Sequence, residues 1–274
     1  MLSPGGIKAC PARQILVSEV VQIMFCITLR SKPLIWSALG IFCAALLFFA
    51  GKDTVGVFKV GGREIPIYSV ERGDDKIALT FNCAWNDSDI DKIIELLKKY
   101  QADATFFAVG DWAQKYPDAL KKLSDAGFEI GNHSYNHAHY NEMSKEEILS
   151  DIQKCDDVIE NITGTKAYLF RAAYGEYNDN VVTACDETGR VYIQWSVDSL
   201  DYKASSPAEI EGRVTDKVSN GDIILMHNGT EHTAAALETL LPKLSEKYTL
   251  VRVSDLIYRD GYTIDAAGRQ HNSP

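Results

Sequence analysis

Cysteine is scarce, with six in 274 residues. That is too dilute for a domain built on disulfides. Basic charge is short as well: 28 Lys and Arg stand against 38 Asp and Glu. The resulting net charge of −10 excludes a broad nucleic-acid-binding face, which needs clustered cations. No internal repeat and no low-complexity tract is present, which excludes solenoid and collagen-like chains. Long apolar runs are also missing except near the N-terminus, so a polytopic membrane protein is excluded. The remaining composition, 46% apolar and 24% charged, is that of an ordinary globular protein.

The charge is unevenly placed. Residues 1–50 carry Lys8, Arg13, Arg30 and Lys32 against Glu19 alone, and the acidic excess lies in the rest. From Leu34 to Gly51 there is no charge, and this run has the length of a membrane span, roughly 17–25 residues. Arg30 and Lys32 precede it, and Lys52 and Asp53 follow. The positive-inside bias then places the N-terminus in the cytoplasm and the body outside. A single transmembrane anchor is expected at 34–51, after a cytoplasmic leader at 1–33. The small residues Cys43-Ala44-Ala45 and Ala50-Gly51 keep a cleaved signal peptide and a secreted body as the alternative. Met24 is a second candidate start, which would put 1–23 outside the native protein. Cys10, Cys26 and Cys43 belong to this end.

A short extended arm is expected at 52–75, with Gly61-Gly62 as a turn. From Lys76 short apolar runs (77–81, 104–109, 128–132, 167–171, 192–197, 222–227, 250–253) alternate with helical stretches (88–100, 111–126, 144–162, 178–188, 207–219, 233–247). Ile90, Ile93, Ile94 and Leu97 share a helix face, and Ser144 with Glu147 forms a capping box. Gly127, Gly164 and Gly189 sit at helix C-caps. About seven buried strands alternating with helices predict an α/β fold, either a parallel barrel or a doubly wound sheet. A C-terminal tail is expected at 259–274, with its polar stretch Ala266–Pro274 frayed.

Polar residues with catalytic potential follow the strands: Asn82 and Cys83, His133 and His137, Arg171, Asp198 and Asp201, and His227. In a parallel barrel these strand ends converge on one rim. His133 and His137 are spaced i, i+4, which suits a divalent metal, and Cys83 makes a possible third ligand of a zinc site. Cys83 is equally readable as a small buried hydrophobe. His227 suits a proton donor with Asp198 as its orienting partner. Arg171 is either an ion-pair partner or a group for a carboxylate or oxyanion. Trp85, Tyr174, Trp195 and Tyr202 flank these positions and suit sugar faces or packing. Cys155 and Cys185 read either as a pair or as buried free thiols. His139 and His232 are expected on the rim.

Together these residues resemble the NodB-homology polysaccharide deacetylases, carbohydrate esterase family 4. The resemblance runs from about Lys76 to Tyr258 through five ordered motifs: Thr80-Phe81-Asn82-Cys83, His133-Ser-Tyr-Asn-His137, Arg171-Ala-Ala-Tyr174-Gly175, Asp198-Ser-Leu-Asp201-Tyr202 and Leu225-Met226-His227. It implies a distorted (β/α) barrel over 76–258. It also implies metal-dependent removal of N-acetyl groups from an amino-sugar polymer such as peptidoglycan or chitin. The anchor and the Asn-Cys-Ala-Trp variant resemble the sporulation-associated deacetylase B branch.

By the same resemblance, His133, His137 and Cys83 would hold a divalent metal, with zinc the leading choice. His227 and Asp198 would protonate the leaving amine. Arg171 would orient the base. Tyr174, Trp85, Trp195, Asp201 and Tyr202 would line the substrate site. The family usually carries Thr-Phe-Asp-Asp at the first motif, base then metal ligand, and this chain has Asn82 and Cys83 there. An amide cannot take a proton as a carboxylate does. Three readings follow: a membrane-anchored, monomeric deacetylase of cell-wall glycan, a catalytically impaired relative that binds glycan or serves as a sporulation scaffold, and a deacylase for a small or lipid-linked amide.

Overall fold

Residues 76–83 run Lys-Ile-Ala-Leu-Thr-Phe-Asn-Cys and are buried on both faces beyond the first. Such a strand belongs in the middle of a parallel sheet, covered by helices. The computed structural model describes residues 65–273 and bears this out. The expected anchor, leader and Gly61-Gly62 turn lie outside the described residues. No helix among the described residues is long and apolar enough to cross a membrane.

In chain order the strands are β1 (Ser69–Val70), β2 (Lys76–Cys83), β3 (Thr105–Ala108), β4 (Glu129–Asn132), β5 (Leu169–Phe170), β6 (Val191–Tyr192), β7 (Val197–Asp198), β8 (Ile223–His227), β9 (Thr249–Val251), β10 (Tyr262–Ile264) and β11 (Arg269–Asn272). The helices are α1 (Ile90–Lys99), α2 (Gly110–Lys115), α3 (Pro117–Asp125), α4 (Lys145–Thr163), α5 (Asp179–Glu187), α6 (Pro207–Thr215), α7 (Thr233–Lys247) and α8 (Val253–Leu256). The main sheet runs β6-β5-β4-β3-β2-β8-β7, with β9 also paired to β2, and every pairing in it is parallel. Strands β2 to β6 neighbour one another in sequence order. That is the winding of a barrel and not of a doubly wound sheet, whose strand order reverses at a switch point.

The local signals explain the elements. Ser144 caps α4 by accepting from the Glu147 N–H, and the Glu147 side chain returns the bond. Gly164 ends α4 with φ 74°, a left-handed conformation suited to glycine. The helix expected over 111–126 divides into α2 and α3, because Pro117 lacks an N–H and starts a new helix. The strand expected over 192–197 is likewise two short strands. The Gln194 side chain turns to Gly175 O at 3.0 Å and to the Tyr192 hydroxyl.

Two expectations at the domain edges are corrected. The stretch 266–274, expected to fray, instead holds β11, which forms a three-stranded sheet with β1 and β10, and Gln270 is buried. Residues 65–70, expected as part of a separate arm, instead fill the seam of the barrel. Ile67 donates to Tyr192 O and accepts from Gln194 N, while Val70 donates to Gly221 O. Gly221 sits at φ 81°, and a Cβ there would lie 1.7 Å from Val70 O, so only glycine fits the close approach.

Candidate active site

The C-terminal ends of β2, β4, β7 and β8 open on one pocket of about 630 Å³, whose wall includes Asn82, His137, Tyr174, Trp195, Asp198 and His227. Trp85 and Tyr202 line it too. Trp85, Tyr174 and Tyr202 are large aromatics left about half exposed. Trp85 and Tyr202 flank the His227 ring at 5.1 and 5.5 Å, and Tyr174 meets His137 edge-on at 4.5 Å.

His227 stands at the end of β8. Its Nδ1 is 2.7 Å from Asp201 Oδ1, and its backbone N–H donates to Asp201 Oδ2 at 2.7 Å. A carboxylate only accepts, so Nδ1 carries the proton and Nε2 is the free atom. Asp198, expected in this role, is not the partner: its Oδ1 accepts from the Leu200 N–H. The physical reason is the turn between them. Leu200 adopts φ 51°, which folds Asp201 back under His227, where the Thr233 hydroxyl also donates to it at 2.6 Å. The resemblance implies a substrate contact for Asp201, whereas here its carboxylate is turned to His227. No spacing in the sequence separates the two aspartates.

His133 is fully buried after β4, with its Nδ1 2.7 Å from Arg171 O. A carbonyl only accepts, so Nδ1–H is the donor and Nε2 keeps its lone pair. That Nε2 is buried with no hydrogen-bond partner among the described residues. Burial, reinforced by His137, holds the His133 ring well below the usual histidine range, and burial lowers His137 too. Both rings are therefore neutral near pH 7. Their centroids are 5.1 Å apart. An orphaned, desolvated imidazole nitrogen with its other nitrogen pinned by a carbonyl is the state a metal ligand needs, so this pair fits a divalent ion.

Cys83 does not join them. Strand alternation sends residue 82 to the pocket and residue 83 to the opposite face. There Cys83 packs fully buried in the core with Ile90, Ile93 and Trp112, and burial pushes its thiol well up, away from thiolate. Among the described residues no group of three His, Cys, Asp or Glu converges as a metal site. The bland reading of Cys83, a small core residue, is the one the geometry carries. Cys155 and Cys185 are also buried free thiols.

Arg171 is fully buried below the pocket. It donates to Thr80 Oγ1 at 2.9 Å, Asn82 Oδ1 at 3.0 Å and Gln194 O at 3.1 Å, and its guanidinium lies over Phe107 at 4.0 Å. None of these partners is a carboxylate. Burial without one lowers its pKa to about 9. Sequence reasoning missed Thr80 and Gln194 as the partners that hold it. It also missed how Tyr174 is held: His139 stacks on that ring at 4.1 Å and pairs with Glu176 at 2.8 Å.

The polysaccharide deacetylase family model matches residues 69–193. The chain is 32% identical over 196 residues to a peptidoglycan-N-acetylglucosamine deacetylase of Bacillus cereus, covering 69% of this chain and 92% of that protein. It is 34% identical to the peptidoglycan-N-acetylmuramic acid deacetylase PdaC of Bacillus subtilis, covering 69% of this chain and 40% of that one. The uncharacterised YlxY of the same organism is 33% identical, over 70% of this chain and 60% of its own length. The chain thus spans less than two thirds of PdaC and YlxY. Among solved structures, a CE4 family pseudoenzyme from Bacillus anthracis superposes with TM-score 0.68 at 34% identity, covering 76% of this chain and 73% of that one. With the fold, the pocket and these likenesses in hand, the chain belongs to the polysaccharide deacetylase family.

Proposed function

We propose that the pocket takes an N-acetylated amino-sugar unit of a cell-wall, peptidoglycan-like glycan, and that deacetylation in this chain is impaired at the base position. The glycan reading is supported by three half-exposed aromatics around a pocket that also holds Asn82, Asp198 and His227, a surface suited to sugar faces. Relatives that act on peptidoglycan support it as well. The impairment rests on one observation: position 82, on the pocket wall, presents an amide held by Arg171 and not a carboxylate. Loss of a general base typically costs about 10²–10⁴-fold. A mutant of the Bacillus anthracis pseudoenzyme is described as having restored enzymatic activity, so this fold can regain turnover by substitution.

The surviving parts have defined roles. His133 and His137 would hold a divalent metal, zinc by preference. Such an ion polarises an acyl carbonyl and acidifies water. His227, with its Nδ1–H held on Asp201, would give the leaving amine the proton of Nε2 when the ring carries one on both nitrogens. Arg171 positions residue 82. A second reading, a fully competent deacetylase, is favoured by the intact His227–Asp201 pair and the orphaned His133 Nε2. Acetate release from N-acetylated peptidoglycan fragments, native protein beside Asn82→Asp, decides between them. A gain of 10² or more on substitution supports impairment. Equal rates establish the competent enzyme.

We also propose that Leu34–Gly51 anchors the chain with the barrel outside the cytoplasm, and that the glycan is modified during sporulation. Membrane fractionation with external protease treatment tests the first. Expression timing and spore-cortex acetylation in a deletion strain test the second.

A further inference from the structure

Asn82 does more than vacate a role. A guanidinium has no acceptor, so the amide oxygen must face Arg171 and the amide NH2 must face the other way. Asn82 lies on the pocket wall and is 5% exposed. Its Nδ2 hydrogens find no acceptor among the described residues, and Nδ2 is not among the buried atoms lacking a partner, so it meets the pocket. A carboxylate here would present acceptors to the pocket. The amide presents a donor, backed by a buried cation that no carboxylate neutralises.

We infer that Asn82 is a recognition residue that selects the N-acetylated form of a glycan over the free-amine form. This rests on the reading that the pocket takes a cell-wall glycan, and it names which acylation state the pocket holds. An acetamide carbonyl accepts from Asn82 Nδ2–H. The ammonium group of a protonated amino sugar has only donors to offer at that point, and the Arg171 charge lies behind Asn82 besides. With aspartate at 82 the polarity reverses, and the ammonium product becomes the better partner. Asp111 and Asp198 also line the pocket and attract an ammonium. They are the same in both forms, so the difference between the forms reports position 82.

Calorimetric titration of the detergent-solubilised full chain, with chelator present to suppress turnover, tests this. The probes are an N-acetylglucosamine tetramer and its fully deacetylated counterpart, at about pH 6, where an amino sugar is protonated. The native protein is expected to prefer the acetylated tetramer by about tenfold, the scale of one hydrogen bond together with an unfavourable charge. Asn82→Asp is expected to lose or reverse that preference. Asn82→Leu, of similar size with no donor, is expected to weaken acetylated binding without gaining the amine form, its fold checked by thermal melting. A native protein that binds both tetramers equally, or an unchanged preference in Asn82→Asp, overturns the inference while leaving the glycan pocket standing. Binding of neither tetramer by any form overturns both.

Discussion

At the residue scale, Asn82 and Arg171 share one electrostatic problem. A fully buried guanidinium has neutral partners only, and burial lowers its pKa to about 9. Its folded pKa thus lies below its unfolded value, so between about pH 9 and the usual arginine range the unfolded chain binds more protons. The penalty on the fold is fully present below pH 9 and is relieved as pH rises through that window. Asn82→Asp supplies the missing anion. It is expected to raise Tm at pH 7 by several degrees, about 2–4 °C for each kcal/mol in a domain this size, with the gain shrinking above pH 9. Paired calorimetric scans across pH check this, and a gain that grows with pH would refute it. Asp201→Asn, made on the Asn82→Asp background, is expected to cut acetate release by at least about tenfold, because the amide no longer enforces the Nδ1–H tautomer of His227. Asp198→Asn on the same background keeps an oxygen that accepts from the Leu200 N–H and leaves the Asp201–His227 pair intact, and is expected to cost less. The ranking of the two rates is the readout.

At the element scale, the alternation of β2 decides the chemistry of the first motif. One residue of difference separates the pocket wall from the helix-covered core, and Asn82 and Cys83 fall on opposite sides of that boundary. Cys83→Ala is therefore expected to leave zinc affinity within about twofold, while His133→Ala lowers it by more than tenfold. Competitive chelator titration measures both. The small sheet of β1, β10 and β11 carries a different signal. His271 bridges Glu71 at 2.8 Å and Asp265 at 3.0 Å, and these partners raise its pKa above the usual value. A raised histidine pKa stabilises the fold below the usual histidine range and loses that contribution as pH climbs through the folded value. His271→Gln is expected to lower Tm slightly at pH 5.5 and not at pH 8. The effect is small because the group is solvent-accessible.

At the scale of the whole molecule, the barrel is finished by segments from both ends of the described chain. Residues 65–70 close the seam between β6 and the start of β8, and β11 pairs with β1 outside them. Removing residues 262–274 takes Tyr262 and Ile264 out of their cluster and is expected to strip Val70 and Ile257 of cover and to lower the urea midpoint markedly. An unchanged midpoint would show that these strands are decoration. The pocket is affected only indirectly, since its walls come from the opposite, C-terminal ends of the strands.

Much of this was legible in the chain. Helix starts and stops follow from local chemistry, as Ser144, Pro117 and Gly164 show, because caps and breakers act within a turn. The buried strands were legible as apolar runs. The strand-end position of Asn82, His133, His137, Arg171 and His227 followed from the βα alternation, and their order through the chain already pointed to the family. Three decisions belong to the tertiary structure alone. Asp201 and not Asp198 backs His227, because a left-handed turn at Leu200 reverses the chain. Cys83 is core and not ligand, because β2 turns it into the helix-covered core, which desolvates it. The C-terminal segment is a strand pair and not a tail, because its partner, β1, lies about 200 residues away. Each depends on which distant surface a side chain meets, and residue spacing carries no record of that.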